Sequence, residues 1–502
     1  MKSSTRVFVN TIIQYVRTII SVVITLYTSR VVLENLGVND YGIYSLVGGV
    51  VAMLSFISNS LSSTTQRYLS FNQGKGDKQL MIKVFNNSVV TQAIISISLC
   101  GLLLLFTEPI FNHFLNIDPS RLSAAKIVYC LMIVALFFNL QSTPYLATLI
   151  ARENILYSTI IQIVDAILKI PIAISLYYIS QDKLVWYALC CGLLIVFNYT
   201  CYYVYCKKHY YECQHFRFSS FDSTLFKEMF SFMGWMIYST GCVVGRTQGI
   251  AILINKFFST AVNAAYGIGL QVSSQMSFLS NALVTAIRPQ IIKAEGSGNR
   301  QKTIRLSEMA CKFSFVLMGI VTIPSILHME DLLAIWLVKV PEHAVLFCQY
   351  ALMAVWIDQL TFPLSVANAA IGNVRIYSLW VNTIKIMTLP MVLILLLKGG
   401  SIKYVMVVYV LFETICMLSR LVFLRININL KIVQFAKHVI VPLIIPTVGT
   451  IFICQKLCDY FIGLQVLYNF CISFVIYSLL LFSIGLIKDE RSILMSLIKY
   501  KK

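Results

Sequence analysis

YGIYSLV (Tyr41–Val47), followed by GKGDKQ (Gly74–Gln79), returns as YGIGLQV (Tyr266–Val272), followed by GSGNRQ (Gly296–Gln301). A third stretch, ATLIARENILYS (Ala147–Ser158), returns as ANAAIGNVRIYS (Ala367–Ser378), keeping the alanine, the Tyr-Ser ending and the length. Three echoes in one order, all about 220 residues apart, read as a duplication. A chain of many spans built from two related halves is the pattern of a transporter whose substrate path runs between the halves.

Composition places this duplication in a membrane. The 502 residues are 58% hydrophobic and 12% charged, against about 25% charged in a soluble domain. Apolar stretches of about 20 residues recur from end to end, the length that crosses a hydrocarbon core as a helix. Lipid cannot satisfy an open backbone, so helices are expected throughout. The predicted spans are 9–31, 42–63, 85–106, 126–149, 156–179, 184–205, 229–254, 267–287, 312–329, 344–370, 377–397, 403–424, 438–456 and 465–487. These fourteen divide as six, six and two. The fold class expected is an all-α polytopic membrane protein: a six-helix bundle over 1–206, a cytoplasmic linker over 207–228, a second six-helix bundle over 229–430, and two further helices with a tail over 431–502. The repeat maps span one onto seven, two onto eight, four onto ten and five onto eleven. An even number of spans per half implies an axis along the membrane normal.

Lys and Arg set the orientation. Loops after even-numbered spans carry Arg67, Lys75, Lys78 and Lys83; Lys207, Lys208, Arg217 and Lys227; Arg288, Lys293, Arg300, Lys302 and Arg305; and Arg425, Lys431 and Lys437. Loops after odd-numbered spans are poor in both and carry Glu34, Asp40, Glu330 and Asp331. The positive-inside rule puts both termini in the cytoplasm. The net charge of +19 is thus read as loop charge that orients the chain, and no nucleic-acid partner is expected. The 14 cysteines form no C-x-x-C pattern and fall largely in apolar stretches, so no disulfide framework or metal site is read. A polar start with Lys2 and Arg6 leads directly into a span, unlike a cleaved signal peptide. The longest loops, His209–Lys227 and Pro289–Lys312, are too short for a catalytic domain, which argues against a membrane glycosyltransferase or polymerase. The chain is read as a non-enzyme.

Charges inside spans cost about 2.5–3.5 kcal/mol each at the bilayer centre, so each is a functional candidate. They are Arg17, Asp165, Lys169, Arg246, Asp358, Lys385 and Glu413, with Arg30 and Lys256 near span ends. Asp165 and Lys169, four residues apart, can neutralise each other on one helix face. Arg30 and Lys256 either face substrate or snorkel to headgroups. Glu413 can pair with Arg420, with Lys385 or with a neighbouring helix. Arg17 and Arg246 have no acidic residue within a turn and lie in repeat-related spans. They either line a cationic cavity able to grip phosphate or are held by carbonyls and Asp358. Polar stripes support a cavity: Ser58, Asn59, Ser60, Ser62, Ser63, Thr64, Thr65 and Gln66 in span two, and Gln271, Ser273, Ser274, Gln275, Ser277, Ser280 and Asn281 in span eight. The alternative for these is interhelical hydrogen bonding. Gln14 flanks Arg17 and joins the candidate lining. Pro144 and Pro363, in repeat-related spans, are candidate kinks.

TSRVVLENLGVNDYGIYSLV (Thr28–Val47) and QRYLSFNQGKGDKQ (Gln66–Gln79) resemble the entry segment and first cytoplasmic loop of polysaccharide-biosynthesis flippases. The chain is similar over its whole length to Wzx-type lipid-linked oligosaccharide flippases of the multidrug/oligosaccharidyl-lipid/polysaccharide (MOP) exporter superfamily. The resemblance implies a MATE-like fold in the bacterial cytoplasmic membrane. It implies alternating-access flipping of an undecaprenyl-pyrophosphate-linked glycan for O-antigen, capsule or exopolysaccharide, with polymerase machinery as a partner. Arg17, Arg30 and Arg246 would then contact pyrophosphate or sugar acids. Gln14, Gln271, Gln275 and Asn281 would line the cavity. No cofactor is implied, but Asp165, Asp358 and Glu413 are the candidates if H+ or Na+ is coupled. The rivals are a cation-coupled multidrug exporter of the same superfamily, a peptidoglycan-precursor flippase and a non-transporting scaffold.

Overall fold

The computed structural model describes residues 3–52, 55–111, 119–180, 182–214, 221–337, 340–372, 374–460 and 466–485. The repeated loops are its clearest instance of sequence writing structure. Gly76 and Gly298 adopt φ of +78° and +76°, a left-handed conformation that glycine enters freely because it has no Cβ. Asp77 and Asn299 follow, and their side chains accept from the amides of Leu80 and Lys302. Each caps the next helix by satisfying a donor that the helix itself cannot. The backbone bonds match as well: Gly76 N donates to Gln73 O and Gly298 N to Glu295 O. Glycine then Asx is thus a helix stop followed by a helix start, used twice.

The chain divides into two compact units, one comprising Phe8–Ile237 and the other Met1–Val7 with Tyr238–Lys502. The division falls inside a helix, after the expected linker at 207–228. The first unit holds most of α1 (Ser3–Ala52), then α2 (Ser55–Lys75), α3 (Lys78–Leu105), α4 (Leu122–Ala151), α5 (Ile155–Ser175), α6 (Lys183–His209) and the start of α7 (Ser223–Phe257). Gly37, at φ 75°, breaks α1, so one glycine does the work of the loop expected between spans one and two. Helix α4 packs on α2, α3 and α6, through a core that includes Val128, Tyr129 and Ile133.

The second unit contains the rest of α7, α8 (Thr260–Gly296), α9 (Arg300–Leu327), α10 (Ala344–Gln359), α11 (Leu364–Ile371), α12 (Val374–Leu397), α13 (Ile402–Ile428), α14 (Ile432–Cys454) and α15 (Val466–Leu480). Helix α8 packs on α9 and α10, α10 packs on α13, and α9 packs on α15. Helices α8 and α9 extend through most of the expected loop Pro289–Lys312, leaving only Ser297–Asn299 between them. Among the described residues, ten helices are long and apolar enough to cross a membrane, or eleven if the bent pair α10–α11 is one span. The sequence reading of fourteen exceeds this by three. Of the three not counted, spans 42–63 and 465–487 run over residues outside those described, and span 267–287, within α8, has its apolar run diluted by a Gln and Ser stripe.

Candidate functional site

Each unit holds a polar cluster within its helices, and the two clusters differ in burial and in how their charge is answered. In the first unit, Arg17 on α1 is half-buried and its Nη1 donates to Gln162 Oε1 on α5. Tyr202 on α6 hydrogen-bonds the same glutamine. Asp165, less than one turn beyond Gln162, is already engaged: Lys169 Nζ lies 2.8 Å from its Oδ2, and Asn198 donates to its Oδ1 at 2.8 Å. Arg17 therefore faces a neutral amide, and among the described residues no carboxylate forms an ion pair with it. Gln14, one turn earlier, is buried.

The second unit answers charge with charge. Lys385 Nζ on α12 sits 3.2 Å from Asp358 Oδ1 and 3.1 Å from Glu413 Oε1. Arg420 Nη1 contacts Asp358 at 2.7 Å, and Arg246 Nη2 contacts Glu413 at 3.2 Å. All five residues are at most 8% exposed. Arg246 also lies over the ring of Tyr409, 4.5 Å from its centroid, with Nη2 3.2 Å from the hydroxyl. Three cations against two carboxylates leave one positive charge in excess.

Local sequence explains this gathering. Pro363 carries no amide hydrogen, and α10 ends at Gln359 with a 48° bend into α11. Just before the bend, the Asp358 carbonyl accepts from the Thr361 and Phe362 amides and lies 3.5 Å from Arg420 Nη1. The break thus presents both the backbone and the side chain of Asp358 to Arg420. Within α12, a π-turn at Ser378–Asn382 faces α7, where Ser239 bonds both Ser378 and Asn382 at 2.8 Å. Gly249 on α7 lets these helices close: a Cβ there would stand 2.6 Å from Leu389 Cδ2. That approach brings α7 and Arg246 alongside α12 and Lys385.

The other expected site residues lie elsewhere. Arg30, Gln271, Gln275 and Asn281 are exposed. The serines of α8 bond their own helix: Ser273 to Leu270 O, Ser277 to Ser273 O, and Ser280 to Ser277 O. In α2 the stripe is partly interhelical, with Ser58 3.2 Å from Thr143 and Thr65 3.1 Å from Ser88. Sequence reasoning missed Tyr266 and Tyr409 beside Arg246, and a buried polar row on α3 comprising Asn86, Asn87, Ser88, Thr91, Gln92 and Ser96. The Asn-Asn-Ser run inside an otherwise apolar span was the available signal.

Residues 11–174 match the MatE family model. Comparison with curated proteins gives no match. Among solved structures, a MATE in the bent conformation superposes with a TM-score of 0.72 at 12% identity, covering 87% of this chain and 99% of that one. An outward-facing multidrug resistance MATE family transporter of the MOP superfamily gives 0.69 at 12% identity, over 86% and 96%. A MOP superfamily transporter from Pyrococcus furiosus, described as having a binding pocket of reverse polarity that suggests a different function, gives 0.69 at 12% identity, over 86% and 98%. The chain is a multi-pass helical membrane protein with the MATE fold.

Proposed function

We propose that this protein is a transporter that moves an undecaprenyl-pyrophosphate-linked oligosaccharide from the cytoplasmic to the outer leaflet by alternating access. The observation that carries the reading is Arg17: a guanidinium inside a membrane span, half-buried, whose hydrogen-bond partner is Gln162 and which no carboxylate pairs among the described residues. A cation kept without a carboxylate at such a cost suits an anionic cargo, and guanidinium grips phosphate oxygens in a planar fork. An inside-negative potential contributes about 2.3 kcal/mol per charge per 100 mV toward outward movement of that headgroup, so the protein mainly lowers a barrier. The two sequence stretches that resemble polysaccharide flippases support the same reading.

Multidrug export is the second reading, favoured by the fold shared with a multidrug resistance transporter. Against it, the three membrane carboxylates Asp165, Asp358 and Glu413 are all engaged by Lys or Arg, which leaves little to attract a cationic drug. The test uses cells that depend on this protein for surface glycan. Arg17→Gln, inserted normally, is expected to abolish most glycan and Arg17→Lys to retain part of it. Full glycan with Arg17→Gln overturns the reading, and dye efflux from intact cells that tracks the protein supports export instead.

A further inference from the structure

The second unit's charge network has donors to spare. Arg246 uses Nη2 on Glu413 and Tyr409, while its Nε and Nη1 have no hydrogen-bond partner. The hydroxyl of Tyr266, within electrostatic range of Arg246 and Tyr409, has none either, nor has Arg420 Nε. Glu413 Oε2 is the one acceptor in the network left in the same condition. Arg246 is 3% exposed and Tyr266 1%. Buried polar groups in folded proteins are almost always satisfied, by protein, water or an ion. A buried positive charge in excess is among the costliest arrangements to leave unanswered.

We propose that the Arg246 Nε–Nη1 edge and the Tyr266 hydroxyl form a binding site for one small monovalent anion of chloride size. Charge sets the valence: three cations and two carboxylates require one negative charge for neutrality. Burial argues for a small ion, which needs the least room beside donors that are 3% and 1% exposed. The chemistry needed is that of a pure acceptor, since donors outnumber the one free acceptor. Glu413 opposes the anion, but Lys385 and Arg246 already share its charge. Tyr266 opens the second copy of the repeated motif, so the duplication carries a ligand-facing residue as well as a turn. The site is independent of Arg17 and of the cargo it would hold.

The experiment is thermal unfolding of the detergent-purified full chain, with sodium chloride titrated against sodium gluconate at constant ionic strength, alongside direct 36Cl⁻ binding. The wild type is expected to bind one chloride and to gain Tm saturably. Tyr266→Phe, which removes the hydroxyl and keeps the ring, is expected to weaken chloride binding about tenfold, as for loss of a hydrogen bond to a charged group. Arg17→Gln is expected to leave it unchanged. Equal Tm in the two salts together with no 36Cl⁻ binding overturns the proposal, as does unchanged affinity in Tyr266→Phe. A chloride effect lost in Arg17→Gln and kept in Tyr266→Phe places the anion in the first unit and likewise overturns it.

Discussion

Asp358 is held by two cations at once, Lys385 at 3.2 Å and Arg420 at 2.7 Å. Removing its charge leaves both without their shared partner in a region where water cannot substitute. Asp358→Asn is expected to cost about 3–5 kcal/mol of stability, the usual penalty for breaking a buried pair from one side. Lys385→Met combined with Glu413→Gln keeps the original excess of one charge and is expected to cost less than Asp358→Asn. Unfolding in detergent, followed by tryptophan fluorescence, measures both. Sequence alone named Arg246, Asp358, Lys385 and Glu413, because a charge in an apolar run stands out. Their pairing was legible only in part: of Glu413's candidate partners it meets Lys385, whereas Arg420 goes to Asp358. The partner reached from α7, Arg246, depends on how closely Gly249 lets two helices approach. Arg17 was equally visible, but nothing in the chain order announces Gln162 as its partner.

At the scale of elements, the duplicated turns make a sharp prediction. A Cβ on Gly298 meets nothing within 4 Å, so the cost of Gly298→Ala is purely that of holding alanine at φ +76°, about 1–2 kcal/mol. Asn299→Ala is expected to cost about 1 kcal/mol through the lost cap. The same pair of changes at Gly76 and Asp77 should cost similar amounts, which unfolding of the four single variants checks. These turns were legible as repeats because glycine and Asx are required by backbone geometry. The helices that meet there were less so, since α8 and α9 run past the apolar stretches that defined the spans, up to the turn itself. The opposite end of the first unit is joined differently: Arg121 bonds Asp40 and Asp182, with Nη1 2.8 Å from Asp182. Partial burial tends to raise the Asp182 carboxyl, but hydrogen bonds from Arg121 and the amides of Val185 and Leu184 hold it below its ordinary range. A depressed carboxylate stabilises the fold above its unfolded pKa of about 4 and loses that contribution as pH falls through its folded value. The Tm difference between wild type and Arg121→Gln is therefore expected to be full at pH 7 and to shrink below about pH 4.

For the whole molecule, the duplication describes the scaffold and not the chemistry. The turns repeat to within a few degrees, while the first unit leaves an arginine facing an amide and the second ties its charges together. The asymmetry was partly readable, since Asp165 aligns with Lys385 at the repeat offset. Orientation rests on the basic loops, and a reporter active only in the cytoplasm is expected to work when fused at either terminus. Placing Lys at Glu34 and Asp40, on either side of the break at Gly37, should lower its yield. Arg121 has one consequence that concerns motion. A single guanidinium ties α1, just past its break at Gly37, to the starts of α4 and α6, which couples the movements of these three points. Spin labels beside residues 40 and 182 should keep one sharp distance through the alternating-access cycle proposed above, and the bending that such a cycle requires must be absorbed elsewhere along those helices.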